Sequence, residues 1–116
     1  LLADDEESIL KSTKRILMKD GFQMDLAQDG KEALHLFKQN PEKYDLIVTD
    51  LSMPNMSGID LTREIRKTDT QIPILLSTGH MALEDEKTYS SSGISYFIQK
   101  PWTARELRKK IIQIIS

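Results

Sequence analysis

Short apolar runs of strand length alternate with helix-periodic segments along the whole chain, and this alternation restricts the fold more than any other feature. Leu1-Leu2-Ala3 reads as the end of a first strand, too short for a buried central strand, so further residues of that strand are expected before it. Phe22 to Ala27 alternates Phe22, Met24 and Leu26 with polar Gln23 and Asp25, the pattern of a strand with one exposed face. Leu46-Ile47-Val48 and Ile74-Leu75-Leu76 are continuously apolar, as strands buried on both faces must be. Ile94 to Ile98 supplies the fifth strand.

Between them lie five helical patterns. Glu7 to Lys19 places Ile9, Thr13, Ile16 and Leu17 on one face and stops at Asp20-Gly21. Lys31 to Gln39 runs through Ala33, Leu34 and Phe37 to Asn40-Pro41. Gly58 to Lys67 turns Leu61 and Ile65 inward, while residues 82 to 92 form a polar, serine-rich helix stopped by Gly93. Thr103-Ala104-Arg105-Glu106 is a capping box, in which each side chain is expected to take the other's free backbone N–H. It opens a last helix with Leu107, Ile111, Ile114 and Ile115 on one face. Strands alternating with helices build parallel β-α-β units with right-handed crossovers, so the fold class is α/β, a doubly wound (βα)5 sheet covered on both faces. The 116 residues fit one domain, residues 1–116, with no internal repeat.

Four of the apolar runs end in a polar group: Asp4-Asp5, Asp50, Thr78-Gly79 and Lys100-Pro101. In an open α/β sheet, groups outside the carboxyl ends of the strands form the site. Three carboxylates held together repel one another and call for a cation. Carboxylate oxygens, a backbone carbonyl and waters suit Mg²⁺ (or Mn²⁺) in octahedral geometry, and no cysteine exists to favour a softer metal. An aspartate can attack phosphorus and become an aspartyl phosphate. The metal and a lysine neutralise charge on the transferring group, and a threonine hydroxyl can bond one of its oxygens.

Composition narrows the partners. Sixteen basic and 18 acidic residues are interspersed, for a net charge of −2, so no basic stripe marks a direct nucleic-acid contact. No apolar run approaches the roughly 20 residues of a membrane span, so no direct membrane contact is expected. The lack of cysteine fits a reducing, cytoplasmic setting, including that of a cytoplasmic domain of a membrane sensor.

With Asp4-Asp5-Glu6, Asp50-x-x-Met53-Pro54-x-Met56-x-Gly58, Pro73 to Thr78 and Lys100-Pro101 in order at strand ends, the chain closely resembles the receiver domain of two-component response regulators over essentially all its length. The resemblance implies a CheY-like, flavodoxin-like sheet in order 2-1-3-4-5. It implies that Asp50 is the phosphoacceptor, that Asp5, Asp50 and the Ser52 backbone carbonyl bind the metal directly, and that Asp4 acts through water. Thr78 and Lys100 then contact the phosphoryl group, a cis peptide precedes Pro101, and Phe97 occupies the aromatic switch position.

The implied donor is a histidine kinase or a histidine phosphotransfer protein. The implied output is a change in the surface made by the fourth helix, fifth strand and fifth helix, read by a downstream protein or attached domain. The same surface would serve a phosphorylation-dependent homodimer. The domain would catalyse its own phosphotransfer and dephosphorylation. The Thr78-Gly79-His80 ending resembles receivers attached to hybrid sensor kinases. Two departures bear on the mechanism. Phe97 lacks the hydroxyl of the tyrosine often found there, and Gly79 stands where alanine is common, leaving the site more open.

Other readings compete. A strand-end aspartate with Mg²⁺ also serves phosphatases of the haloacid dehalogenase type, but these need an aspartate two residues on, where this chain has Ser52. A flavodoxin-like cofactor binder needs a phosphate-binding loop after the first strand, where Asp4-Asp5-Glu6-Glu7 would repel phosphate. A degenerate receiver acting as an interaction module would not need the intact acidic set. Taken singly, Asp4-Asp5 could be a solvated turn, Thr78 a helix cap, Lys100 a surface residue and Phe97 simply core. Trp102 is expected to be partly exposed and open to partner contact, and His35 and His80 to be solvated.

Overall fold

Leu2 and Ala3 point to opposite sides of a sheet, and so do Ile47 and Val48, and Leu75 and its neighbours Ile74 and Leu76. This two-residue alternation is what divides the core into two layers. The structure, a computed structural model, describes residues 1–79 and 83–116, with the backbone alone for 83–86. His80 and the first residue assigned to the fourth helix therefore lie outside the described residues.

The strands are β1 (Leu2–Ala3), β2 (Leu26–Ala27), β3 (Ile47–Asp50), β4 (Ile74–Thr78) and β5 (Tyr96–Gln99). All pair in parallel, in the order β2-β1-β3-β4-β5. The helices are α1 (Glu7–Met18), α2 (Gly30–Gln39), α3 (Gly58–Arg66), α4 (Leu83–Ser92) and α5 (Ala104–Ile115). A 3-10 turn at Pro41–Lys43 follows α2. It starts at the proline, whose fixed φ suits a first helical position and whose missing N–H costs nothing there.

One layer of core joins Ala33 and Phe37 of α2 and Leu61 and Ile65 of α3 to Ala3, Ile47, Ile74 and Leu76. The other joins Leu10 and Leu17 of α1 and Leu107 and Ile111 of α5 to Leu2, Val48 and Leu75. Each fully buried Leu or Ile contributes roughly 1.5–3 kcal/mol by leaving water, the main drive for closing the helices onto the sheet.

Several expected details change. In α1 the inward face is Leu10, Thr13 and Leu17, while Ile16 is 43% exposed: Thr13 and Leu17 stand as expected, and a partial rotation of the helix brings Leu10 in where Ile9 was expected. In α5, Leu107 and Ile111 are buried but Ile115 is 45% exposed in the last turn, beyond the edge of the sheet's cover. β2 is only two residues long, yet Phe22 and Met24 still pack against the α1–α5 layer from the segment leading into it. β5 starts at Tyr96 rather than Ile94, although Ile94 is buried in the core. At the α5 cap, the Thr103 hydroxyl accepts from the Glu106 N–H at 3.1 Å. Glu106 Oε1 meets that same hydroxyl at 3.3 Å, so the carboxylate is engaged by the side chain of Thr103.

Candidate functional site

β3 carries its last residue, Asp50, to the edge of the buried sheet, where it remains only 8% exposed. Its carbonyl oxygen is approached so closely by the first residue of α3 that a Cβ at Gly58 would collide with it. Gly58 N donates to Leu51 O at 2.9 Å, which turns the chain back over the strand end. The Leu51 N–H donates to Asp50 Oδ1 at 3.0 Å and fixes the carboxylate rotamer. Ser57 caps α3 by accepting from the Asp60 N–H at 3.1 Å, and Thr62 ties its own hydroxyl to Gly58 O.

The loop between β3 and α3 has a second anchor. Asn55 has φ of 68°, in the left-handed region that asparagine tolerates better than most side chains. Its amide donates to Asp29 Oδ2 at 2.9 Å, while Asp29 Oδ1 caps α2 by accepting from the Glu32 N–H at 2.8 Å. These bonds hold Asp29 below the usual carboxylate range. Met53 and Met56 pack from this loop onto the core. Ser52 is exposed in the bend two residues after Asp50.

Asp4 follows β1 and is 1% exposed, accepting from the Glu6 N–H at 2.9 Å. Asp5 beside it is exposed. Asp4, Asp5 and Asp50 present carboxylate oxygens that lie within 4.8 Å of one another. Two oxygens on one Mg²⁺ stand about 3–4 Å apart at its usual bond length, so small movements would bring this hard-oxygen set around such an ion. The donor chemistry fits Mg²⁺.

Lys100 follows β5 at a cis peptide bond to Pro101. Its Nζ lies 3.1 Å from Asp50 Oδ1 and 3.3 Å from Asp4 Oδ2. One ammonium thus pairs with two of the three clustered carboxylates, which leaves two negative charges uncompensated when all three are ionised. Burial pushes the Asp50 carboxyl above its ordinary value and Asp4 adds to this; Lys100 pulls it back only in part. Burial alone would lower the Lys100 pKa, but the hydrogen bond and charge of Asp50, with the charge of Asp4, outweigh it. The lysine therefore stays charged at neutral pH.

β4 ends at Thr78, 3% exposed, whose carbonyl accepts from the Lys100 N–H at 2.8 Å. The residue before it, Ser77, stands opposite Asp50 in the β3–β4 register. Phe97 is half-buried in β5 and its ring lies 6.1 Å from that of Tyr89 in α4, tilted by 40°. The structure therefore brings Asp4, Asp50 and Lys100 together by direct ion pairs, Asp5 by its place in the carboxylate cluster, and Thr78 by its place at the end of β4. Phe97 faces α4 instead.

Sequence reasoning missed Ser77 and Asn55 here, and the bond that Trp102 makes. Trp102 is half-buried, and its indole N–H donates to the Ser77 hydroxyl at 2.8 Å. Ser77 is a polar residue next to Thr78 inside an apolar strand, which is the signal that could have drawn attention to it. Asn55 in its turn likewise has a visible signal, since asparagine favours positive φ.

Comparison with known proteins agrees with this geometry. Residues 1–112 match the response regulator receiver domain family. The chain is 33% identical over 107 residues to the response regulator MprA of Mycobacterium sp. (strain KMS), covering 92% of this chain and 46% of that protein. It is 35% identical over 114 residues to the sensor protein EvgS of Escherichia coli (strain K12), covering 98% of this chain and 9% of EvgS. The chain thus spans less than half the length of these relatives. Among solved structures, a response regulator receiver domain protein from Clostridium thermocellum superposes with a TM-score of 0.88 at 33% identity, covering 98% of this chain and 90% of that one.

Proposed function

The chain belongs to the response regulator receiver domain family, and from that premise we propose that Asp50 accepts a phosphoryl group from a phosphohistidine donor and that the domain acts as a switch. The observation that carries this reading is the ammonium of Lys100 bridging Asp50 and Asp4 inside a cluster of three carboxylates. A Mg²⁺ ion held directly by Asp5, Asp50 and the Ser52 carbonyl, and by Asp4 through water, would screen the repulsion between Asp50 and an incoming phosphoryl group.

An Asp50 carboxylate oxygen attacks phosphorus as the bond from phosphorus to the donor's imidazole nitrogen breaks, and the imidazole leaves with that electron pair. Lys100 holds one phosphoryl oxygen by charge, and the Thr78 hydroxyl donates to another. Water later attacks the same phosphorus as its bond to the Asp50 oxygen breaks, so inorganic phosphate leaves with the oxygen and protons of that water and Asp50 returns to its carboxylate. Thr78 moving toward the phosphoryl group frees space into which Phe97 turns, away from Tyr89. That exchange alters the α4–β5–α5 surface and biases a two-state equilibrium.

A histidine kinase or histidine phosphotransfer protein is the proposed donor, and a downstream protein or attached domain the reader. A homodimer through the α4–β5–α5 surface belongs to the same proposal, as does a cytoplasmic setting. Among the described residues, no helix is long and apolar enough to cross a membrane. Ser52, standing where a phosphatase of the dehalogenase type needs its acid/base aspartate, favours holding phosphate over turning over a metabolite.

The test uses a small acyl-phosphate donor with Mg²⁺ and intact-mass analysis. The wild type is expected to gain one phosphoryl group and Asp50→Asn none. A labelled Asp50→Asn protein would remove Asp50 from this role. A wild type that binds beryllofluoride nowhere would favour a degenerate interaction module.

A further inference from the structure

Two bonds pin the turn that carries Lys100 to the end of β4. The Lys100 N–H donates to Thr78 O at 2.8 Å, and the Trp102 indole N–H donates to Ser77 Oγ at 2.8 Å. They lie on either side of Pro101, so the residue bearing the ammonium is fixed both before and after the turn. Ser77 itself is 2% exposed and is held from the other side: its carbonyl accepts from the Leu51 N–H at 3.0 Å, and it stands opposite Asp50 in the strand register. One buried serine therefore touches the turn that carries the lysine and the chain that leaves the acceptor aspartate.

A ring at position 102 needs no polar atom to fill its place against the α1–α5 layer of core; phenylalanine would cover similar apolar surface. The indole N–H adds something packing does not require: a directed bond into the strand beside Thr78. Resting on the acceptor role of Asp50, we propose that Trp102 is a positioning residue for Lys100, acting through its hydrogen bond to Ser77. The bond sets how far the Lys100 backbone stands from Asp50, and hence where the ammonium meets a phosphoryl oxygen. A small misplacement of a charge that acts on a transferring group is costly, since catalysis here depends on alignment.

Trp102→Phe and Ser77→Ala remove the donor and the acceptor separately. Each is expected to slow labelling of Asp50 by a small phosphodonor roughly 3–30-fold per folded molecule and to weaken beryllofluoride binding in Mg²⁺. The double variant should lose no more than either single one. In a Lys100→Ala background, Trp102→Phe should leave beryllofluoride affinity unchanged, because the group it positions is gone. Trp102 is the chain's single tryptophan, so Ser77→Ala should also shift its emission.

A merely structural bond would lower the melting temperature of both variants while leaving labelling per folded molecule at the wild-type rate, and that result overturns the proposal. So does an equal loss of beryllofluoride affinity from Trp102→Phe with or without Lys100. Failure of the wild type itself to label at Asp50 would instead overturn the acceptor reading, so the two failures are distinguishable.

Discussion

Lys100 Nζ stands 3.1 Å from Asp50 Oδ1, and the same ammonium reaches Asp4 Oδ2 at 3.3 Å. One cation from the end of β5 thus holds together the carboxylates that β1 and β3 deliver. Its side chain is 22% exposed, so it is neither a fully buried ion pair nor a screened surface one. On the proposed function, its worth lies in countering charge that grows when a phosphoryl group arrives, more than in stabilising the resting fold.

Lys100→Ala should therefore cut phosphoryl transfer to Asp50 by about 10²-fold or more, with a change in melting temperature of only a few degrees. Added Mg²⁺ should recover that lost thermal stability by replacing the missing positive charge, while the transfer rate stays low. Parallel melting curves and labelling time courses check this. A collapse in stability with transfer unaffected per folded molecule would make Lys100 a structural residue.

Gly58→Ala tests how tightly the strand that ends in Asp50 is seated. The new Cβ would collide with the Asp50 carbonyl oxygen and lie 3.2 Å from Leu76 Cδ1. Neither a strand carbonyl nor a buried leucine can move freely, so a loss of about 1–3 kcal/mol is expected. Urea denaturation with the slope m unchanged would measure it, and wild-type stability would show that α3 can slide.

The order of strands and helices was legible because its signals are periodic and strong: Leu46-Ile47-Val48 and Ile74-Leu75-Leu76 have no partner pattern but a strand buried on both faces. Asp50, Asp4 and Lys100 were legible because each closes such a run. What escaped was anything fixed by three-dimensional rotation or reach. The inward face of α1 keeps Thr13 and Leu17 but takes Leu10 in place of Ile9 and leaves Ile16 exposed, a partial rotation of the helix that decides which side meets the sheet. The Trp102–Ser77 bond spans 25 residues and joins an aromatic to a hydroxyl, a pairing with no spacing rule to betray it.

Asp69 offers a test of acid sensitivity away from the site. Its Oδ1 accepts from the Ile72 N–H at 2.9 Å and the Gln71 N–H at 2.8 Å, closing the connection between α3 and β4. The Ile72 and Gln71 bonds hold its pKa below the ordinary 3.8. The folded state thus favours the carboxylate, and its contribution is present above pH 3.8 and lost as pH falls through the lower folded value. Asp69→Ala should be less stable than wild type at neutral pH, by about 1–2 kcal/mol. The gap should narrow in acid below the ordinary carboxylate range. A gap of constant size across that range would mean that the charge contributes nothing.

Asn55 separates backbone strain from a side-chain tie. Its φ of 68° is readily taken by glycine, while its amide bonds Asp29 Oδ2 at 2.9 Å and so links the loop after Asp50 to the cap of α2. Asn55→Gly removes the tie and leaves the backbone unstrained; Asn55→Ala removes the tie and adds the cost of a Cβ in the left-handed region, about 1 kcal/mol. The alanine variant should accordingly be the less stable of the two by that amount. Both should bind Mg²⁺ more weakly than wild type, because the same loop carries the Ser52 carbonyl proposed as a ligand. Equal stability of the two variants would show that the loop relaxes out of the left-handed conformation once the tie is cut. Unchanged Mg²⁺ affinity would show that Ser52 is placed by the strand end alone.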